Sequence, residues 1–168
     1  MPPQLSVTNA GSDYIRSGDA HFEEGEFDKA IADCTRAIDL NPDNRSAYYL
    51  RGRACHSIKN YDRAIQEYTR AIELNLQDGV IYLFRGLVYD ATGHFDEACR
   101  DYDQVIRHLT QAIDLDPADA DAHRLRGHAY KGKLAYPQAL ADFLNYLRLS
   151  PKGRHRAEVK RAIRDLSR

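Results

Sequence analysis

The sequence contains no tryptophan, one methionine and only three cysteines, Cys34, Cys55 and Cys99. An odd number of thiols without a framework spacing excludes a disulfide scaffold and points to a reducing compartment. No apolar stretch approaches the roughly 18 residues that a membrane span needs. The first ten residues, Met1 to Ala10, lack both the basic segment and the apolar run of a signal peptide. The expected location is the cytoplasm, with no membrane contact. A net charge of −1 gives no global pull toward nucleic acid.

Motifs that carry chemistry are also missing. There is no Walker-type glycine loop, no H-E-x-x-H, no G-x-S-x-G and no paired-cysteine metal spacing. His56, His94, His108, His128 and His155 form no ligand spacing with one another. The acidic group Glu23, Glu24, Glu26 and Asp28 reads as solvated surface at a helix turn. No catalytic residue, metal or cofactor is expected, and an enzyme has no residue to rest on.

What the sequence does have is a repeat. Glycines recur at Gly18, Gly52, Gly86 and Gly127, with gaps of 34, 34 and 41 residues. Four residues before each glycine stand Tyr14, Tyr48, Tyr82 and His123, and three after it His21, Cys55, Tyr89 and Tyr130. Nine after it come Phe27, Tyr61, Phe95 and Tyr136, twelve after it Ala30, Ala64, Ala98 and Ala139, and sixteen after it Cys34, Tyr68, Tyr102 and Phe143. Prolines close three of the units at Pro42, Pro117 and Pro151, with Leu76 in that slot in the second. A fixed period in this range means a helical repeat.

This pattern resembles the tetratricopeptide repeat over residues 11 to 151. It departs from it in placing Tyr or His where the family has Trp, and Ser17, Arg51, Arg85 and Arg126 where it has Leu. The resemblance implies an all-α, right-handed solenoid of four helical hairpins with a C-terminal capping helix. The physics of the residues agrees. Apolar positions four and three apart share one face of a first helix. Glycine in a helix costs about 1 kcal/mol relative to alanine, which a close approach by the second helix offsets, and the small Ala30, Ala64, Ala98 and Ala139 fit that contact. Gly25, Asn60, Gly93 and Gly132 read as the turns between helices. Cys34, Cys55 and Cys99 fall on core positions, where cysteine packs as a small hydrophobe. Each hairpin needs a neighbour to bury its apolar face.

The expected organisation is a mobile leader over 1–10, repeats over 11–44, 45–78, 79–119 and 120–153, and a basic amphipathic cap over 154–168. Seven extra residues lie between Ala98 and Pro117 without Gly or Pro, and one apolar stripe continues through them. Seven residues fall about 20° short of two turns, so the spacing predicts a second helix about 10 Å longer than its counterparts, with a loop bulge as the alternative.

A second stripe lies roughly 120° from the core stripe. In proteins of the family it resembles, this stripe lines a concave groove where a partner segment binds. Here the groove residues are Tyr49, Arg53 and His56, then Val80, Leu83, Leu87 and Asp90 with Phe84 at the border, then Arg124, His128 and Lys131. One end is acidic (Asp19), the middle apolar and the far end basic, and the alternative for the apolar middle is packing against the next repeat. A family subclass clamps a C-terminal carboxylate, but the matching positions here are Ile15, Asp19, Leu50, Val80 and Phe84, none of which fits. The expected function is a non-enzymatic scaffold that binds a peptide or helix of a partner protein. Tyr49, Leu83, Phe84 and Leu87 would anchor it, and Arg53, Arg124 and Lys131 would orient an acidic flank.

Charge suggests an alternative. Asp13 to Asp43 holds nine acidic residues against three basic, while Lys152 to Arg168 holds seven basic against two acidic. Stacking heads onto tails would give homo-oligomers by a heterologous contact. Nucleic-acid binding by the tail is a weaker expectation, because seven cations on a cap are more simply a solvated face.

Overall fold

A computed structural model describes residues 5–75 and 78–166. Met1 to Gln4, and Leu76 in the closing slot of the second repeat, lie outside them. The described residues form nine α-helices and no strand. They divide into two compact units, 1–77 and 78–168. The first holds α1 (Leu5–Glu23), α2 (Phe27–Leu40), α3 (Arg45–Ser57) and α4 (Tyr61–Leu74). The second holds α5 (Gly79–Ala91), α6 (Phe95–Leu115), α7 (Ala120–Gly132), α8 (Tyr136–Leu149) and α9 (Arg156–Leu166). Each unit is a pair of stacked antiparallel hairpins, and in the second unit α9 closes the end. α6 runs unbroken for 21 residues where α2, α4 and α8 each have 14. α1 begins at Leu5, inside the segment expected to be a mobile leader. No proline lies between Pro3 and the end of that helix, so nothing stops it from propagating N-terminally.

The turns inside the hairpins share one geometry, which keeps Gly25 and Gly93 as the expected turn residues and gives that place to other residues in the remaining two hairpins. Backbone N–H groups of Glu26, Asn60, His94 and Ala135 donate to the carbonyls of His21, Cys55, Tyr89 and Tyr130. This is the Schellman closure, and the residue before each of those donors must be left-handed. In two hairpins that residue is Gly25 or Gly93, with φ of 79°. In the others it is Lys59 at 60° and Leu134 at 58°, where a side chain costs about 1–2 kcal/mol. Asn60 instead caps α4, accepting from the Arg63 N–H at 3.4 Å. Gly132 is the last residue of α7.

The repeat glycines do admit close packing, but the group they admit is the residue sixteen positions on rather than the alanine at twelve. A Cβ on Gly52 would lie 2.7 Å from the Tyr68 ring, on Gly86 2.9 Å from Tyr102, and on Gly127 2.8 Å from Phe143. Gly132 faces the Tyr102 ring as well, so that ring is flanked by two glycines. Gly18 is looser, with the flexible end of Leu50 at 3.3 Å and Cys34 at 3.4 Å. Ala30, Ala64, Ala98 and Ala139 are buried beside these contacts. Cys34 and Cys55 are buried too, and burial pushes the Cys34 thiol up to about 12. Cys99 is exposed, contrary to its expected core position. It sits one residue past Ala98, and one step turns a side chain about 100° around the helix.

The arginines that replace the family's leucine are partnered. Arg51 donates to Glu67 at 2.8 Å and to the Thr35 hydroxyl at 3.0 Å. Arg85 grips Asp101 through two bonds of 2.8 and 2.7 Å, and Arg126 grips Asp142 through two of 2.8 Å. In the first hairpin Ser17 takes the arginine's place and donates to Asp33 at 2.7 Å. Every carboxylate in the series is buried and lies sixteen residues after its partner. Each arginine also stacks on aromatic rings of its own helix, Arg85 lying 5.6 Å from the Tyr82 centroid and 5.8 Å from Tyr89. The guanidinium therefore spans the polar seam between two helices while its faces stay against apolar rings, which leucine could not do.

Candidate functional site

The sequence-named stripe residues lie on the first helices of the hairpins, three in the first unit and eight in the second. In the first unit α3 carries Tyr49, Arg53 and His56, all half-buried. The Arg53 guanidinium lies 4.1 Å from the Phe22 ring centre and 5.7 Å from Tyr49, so its charge is spread over aromatic faces. His56 packs against Tyr61 at 5.9 Å, and burial lowers its pKa below 6.5.

In the second unit the stripe separates into three kinds of residue. Leu83 is only 3% exposed and belongs to the core, which corrects its expected role as a groove anchor. The stripe was drawn at an idealised angle, and a helix packed on more than one side buries residues beyond its core stripe. Arg124 and His128 are the second kind. The Arg124 side chain is 12% exposed and pairs with Asp121 at 3.1 Å and Glu158 at 3.8 Å. His128 Nε2 lies 2.7 Å from Glu158 Oε1, and the ring meets Phe143 edge-on at 5.0 Å. Burial against that ring holds its pKa below 6.5 despite the nearby carboxylate. α9 thus supplies, through Glu158, the acidic group that a partner was expected to bring. α9 is held there by Val159 and Ala162 packing on Ala139, Phe143 and Tyr146.

The third kind stays accessible. Val80, Phe84, Asp90 and Lys131 are half-buried, and Leu87 is 38% exposed. Leu87, Asp90, His128 and Lys131 border a single cavity of about 550 Å³. Its other walls are Phe95, Cys99 and Tyr102 from α6, and Gly132, Lys133 and Leu134 from the end of α7 and its turn. Phe95 is 65% exposed and Leu134 69%, so the rim is apolar and open. Tyr102 forms the floor, donating its hydroxyl to Asp90 at 2.7 Å. Burial and that carboxylate both raise the phenol's pKa, so it stays protonated as a donor. Lys133 is paired with Asp103.

The cavity, like the rest of the described residues, has no cluster of three His, Cys, Asp or Glu suited to a metal. What it offers is apolar surface with a few polar groups at the edge, the chemistry of a binding site. No described helix is long and apolar enough to cross a membrane.

The family model described as tetratricopeptide repeat matches residues 15–79 and 83–154. The chain belongs to the tetratricopeptide repeat family. Its backbone is similar to the crystal structure of MamA, with 28% identity, a TM-score of 0.59, and coverage of 86% of this chain and 81% of that one. Pseudomonas aeruginosa PilF matches at a TM-score of 0.73 with 17% identity, covering 96% of this chain and 69% of its own, which is a likeness of fold. The second tetratricopeptide domain of Spaghetti (RPAP3), solved with an HSP90 peptide, SRMEEVD, matches at 25% identity and a TM-score of 0.57, over 60% of this chain and 94% of its own. No curated protein sequence matches the chain.

Within the tetratricopeptide pattern, sequence reasoning missed Phe95, Cys99 and Leu134 as site residues. Phe95 looked like one more occupant of the aromatic column at nine, and Cys99 like a core thiol. Leu134 left a signal that went unread. It stands seven after Gly127, the offset at which Gly25 follows Gly18 and Gly93 follows Gly86, so a large apolar residue occupies a slot that favours glycine.

Proposed function

We propose that this protein is a non-catalytic docking module that holds a segment of a partner protein on the first-helix faces of its hairpins. The observation that carries the reading is the meeting of Leu87, Asp90, His128 and Lys131 at one open apolar cavity. Spacing puts these four on one stripe, and the family resemblance implies that the stripe lines a groove. Family membership supports it, as does a structural neighbour that was solved holding a peptide. In the second unit the anchors are Leu87 and Phe84, with Val80 on the same helix and Lys131 as the cation; the first unit, taken by itself, offers Tyr49 with Arg53 stacked on its ring. The carboxylate clamp is not the mode, since Ile15, Asp19, Leu50, Val80 and Phe84 occupy its positions.

The test is an affinity titration of partner segments against Leu87→Asp and Tyr49→Ala, with helicity followed by circular dichroism. Leu83 is left alone because an aspartate there would disrupt the core. At least tenfold weaker binding with unchanged helicity is expected from Leu87→Asp. Unchanged affinity in both variants rules the reading out.

A second reading rests on the ends. Asp19, Glu23, Glu24 and Asp28 on the first hairpin are exposed, and so are Arg156, Lys160, Arg161 and Arg164 on α9. A head-to-tail contact between copies would weaken as salt rises. Light scattering at low and high ionic strength tests this, and a monomer at low salt and high concentration excludes it.

A further inference from the structure

The charged groups around the cavity in the second unit are nearly all committed. Asp90 accepts from the Tyr102 hydroxyl, His128 faces Glu158, and Lys133 is paired with Asp103. Lys131 is the one charged lining group with no partner among the described residues. The apolar lining is equally uncommitted, because Leu87, Phe95 and Leu134 turn much of their surface to water. One of them breaks a local rule to do so. Leu134 holds a left-handed backbone that disfavours any side chain, while Phe95 opens α6 as an exposed aromatic. Local strain and exposed apolar surface at one place mark a binding site rather than a packing defect.

The form of the cavity restricts the ligand. A volume of about 550 Å³ has room for a bulky side chain together with the backbone beside it, but the open rim cannot enclose the 70–90% of surface that free small ligands typically bury. An anchor on a longer chain suits such a mouth, since the rest of the chain lies along the rim. We propose that the cavity receives a bulky apolar side chain of a partner peptide, leucine or phenylalanine in size, and that Lys131 pairs with a carboxylate one or two residues away from it. This rests on the docking reading above and names the ligand of that site. The Cys99 thiol stands on the wall, so anything attached to it occupies the space meant for the anchor.

The experiment is selection from a displayed library of random dodecapeptides, followed by fluorescence anisotropy with the selected peptides. It uses the full chain, its Lys131→Glu and Leu134→Ser variants, and the chain capped at Cys99 with N-ethylmaleimide. Cys34 and Cys55 are buried, so capping under native conditions is confined to one site, which mass spectrometry verifies. The wild type is expected to enrich Leu, Phe or Met next to Asp or Glu. Lys131→Glu should move the enriched neighbour to Lys or Arg, while capping and Leu134→Ser each weaken binding tenfold or more. Peptides that lack the apolar–acidic pair, or that bind the capped protein and Lys131→Glu unchanged, overturn the inference. If such peptides are nonetheless lost on Tyr49→Ala, the docking function stands and only this cavity's part in it falls. If no peptide is selected at all, both fall.

Discussion

The two units are built on the same spacing and use it differently. In the first, charge and aromatic surface are spent internally. Arg53 lies over Phe22 and Tyr49, and Phe22 meets Phe27 edge-on at 5.4 Å. The hollow there holds about 280 Å³ and is lined by Gly25, Glu26, Phe27, Asp28, Lys29 and Ile58, with Lys29 clasping Glu26 at 2.8 Å. In the second, the hollow holds about 550 Å³, Phe95 and Leu134 stand open at its rim, and Lys131 has no partner among the described residues. A shared repeat fixes where helices lie, whereas function sits where one copy leaves its surface unfinished.

The largest effect expected to sharpen this comparison comes from the buried carboxylates. Asp142→Ala strands both Arg126 and His123, whose Nδ1 lies 2.9 Å from the same carboxylate. Removing one partner of such a pair costs about 3–5 kcal/mol, read as a lower urea midpoint. Asp33→Ala in the first unit strands a serine and a histidine that is 28% exposed, and about 1–2 kcal/mol is expected. Equal losses would break the contrast.

Next come the glycines. Gly52→Ala and Gly127→Ala force a methyl into an aromatic ring and should cost about 1–3 kcal/mol. Gly18→Ala meets the movable end of Leu50, the Cys34 sulfur and, at an ordinary contact distance of 3.6 Å, the Ala30 carbonyl. The gain in helix propensity of about 1 kcal/mol then offsets the tighter contact, and its melting temperature should stay near that of the wild type.

A smaller effect, of opposite sign, is expected at the turns. Leu134→Gly should stabilise by up to about 1 kcal/mol by relieving the left-handed backbone, while weakening peptide binding. Gly93→Ala should lose about 1 kcal/mol. A Leu134→Gly variant that is more stable and binds as before would separate strain from function.

The smallest effect is on pH. Burial lowers the pKa of His56 and of His128 below 6.5. The unfolded chain then takes up protons first as pH falls, so stability is full above about pH 6.5 and declines below it, by at most about 1.4 kcal/mol per pH unit for each group. Replacing both with glutamine should flatten the thermal-melt profile between pH 7 and 5.

Much of the fold was legible because glycine and alanine spacing is a geometric constraint that a helical hairpin cannot evade. Gly52, Gly86 and Gly127 marked the close approaches correctly, although the rings they admit were misassigned to the alanines. The Arg–carboxylate seam was present as a sixteen-residue offset between Arg51, Arg85 or Arg126 and an acid, and was hidden because those arginines register only as departures from leucine. The site was half legible. Spacing placed Leu87, Asp90 and Lys131 on one face, but it carries no information about depth, so Leu83 was taken as surface. Nor does it show that a tail helix brings Glu158 to Arg124 and His128. Phe95, Cys99 and Leu134 come from the second helix and the turn, which a stripe on first helices leaves out.

The most direct measurement is the pattern of amide chemical-shift changes in a titration with a short peptide carrying a leucine beside a glutamate. Changes concentrated at Leu87, Phe95, Cys99, Lys131 and Leu134, and quenched by capping Cys99, are the expected result. Changes confined to 45–57 or to α9, with those five amides unmoved, would contradict docking at this cavity.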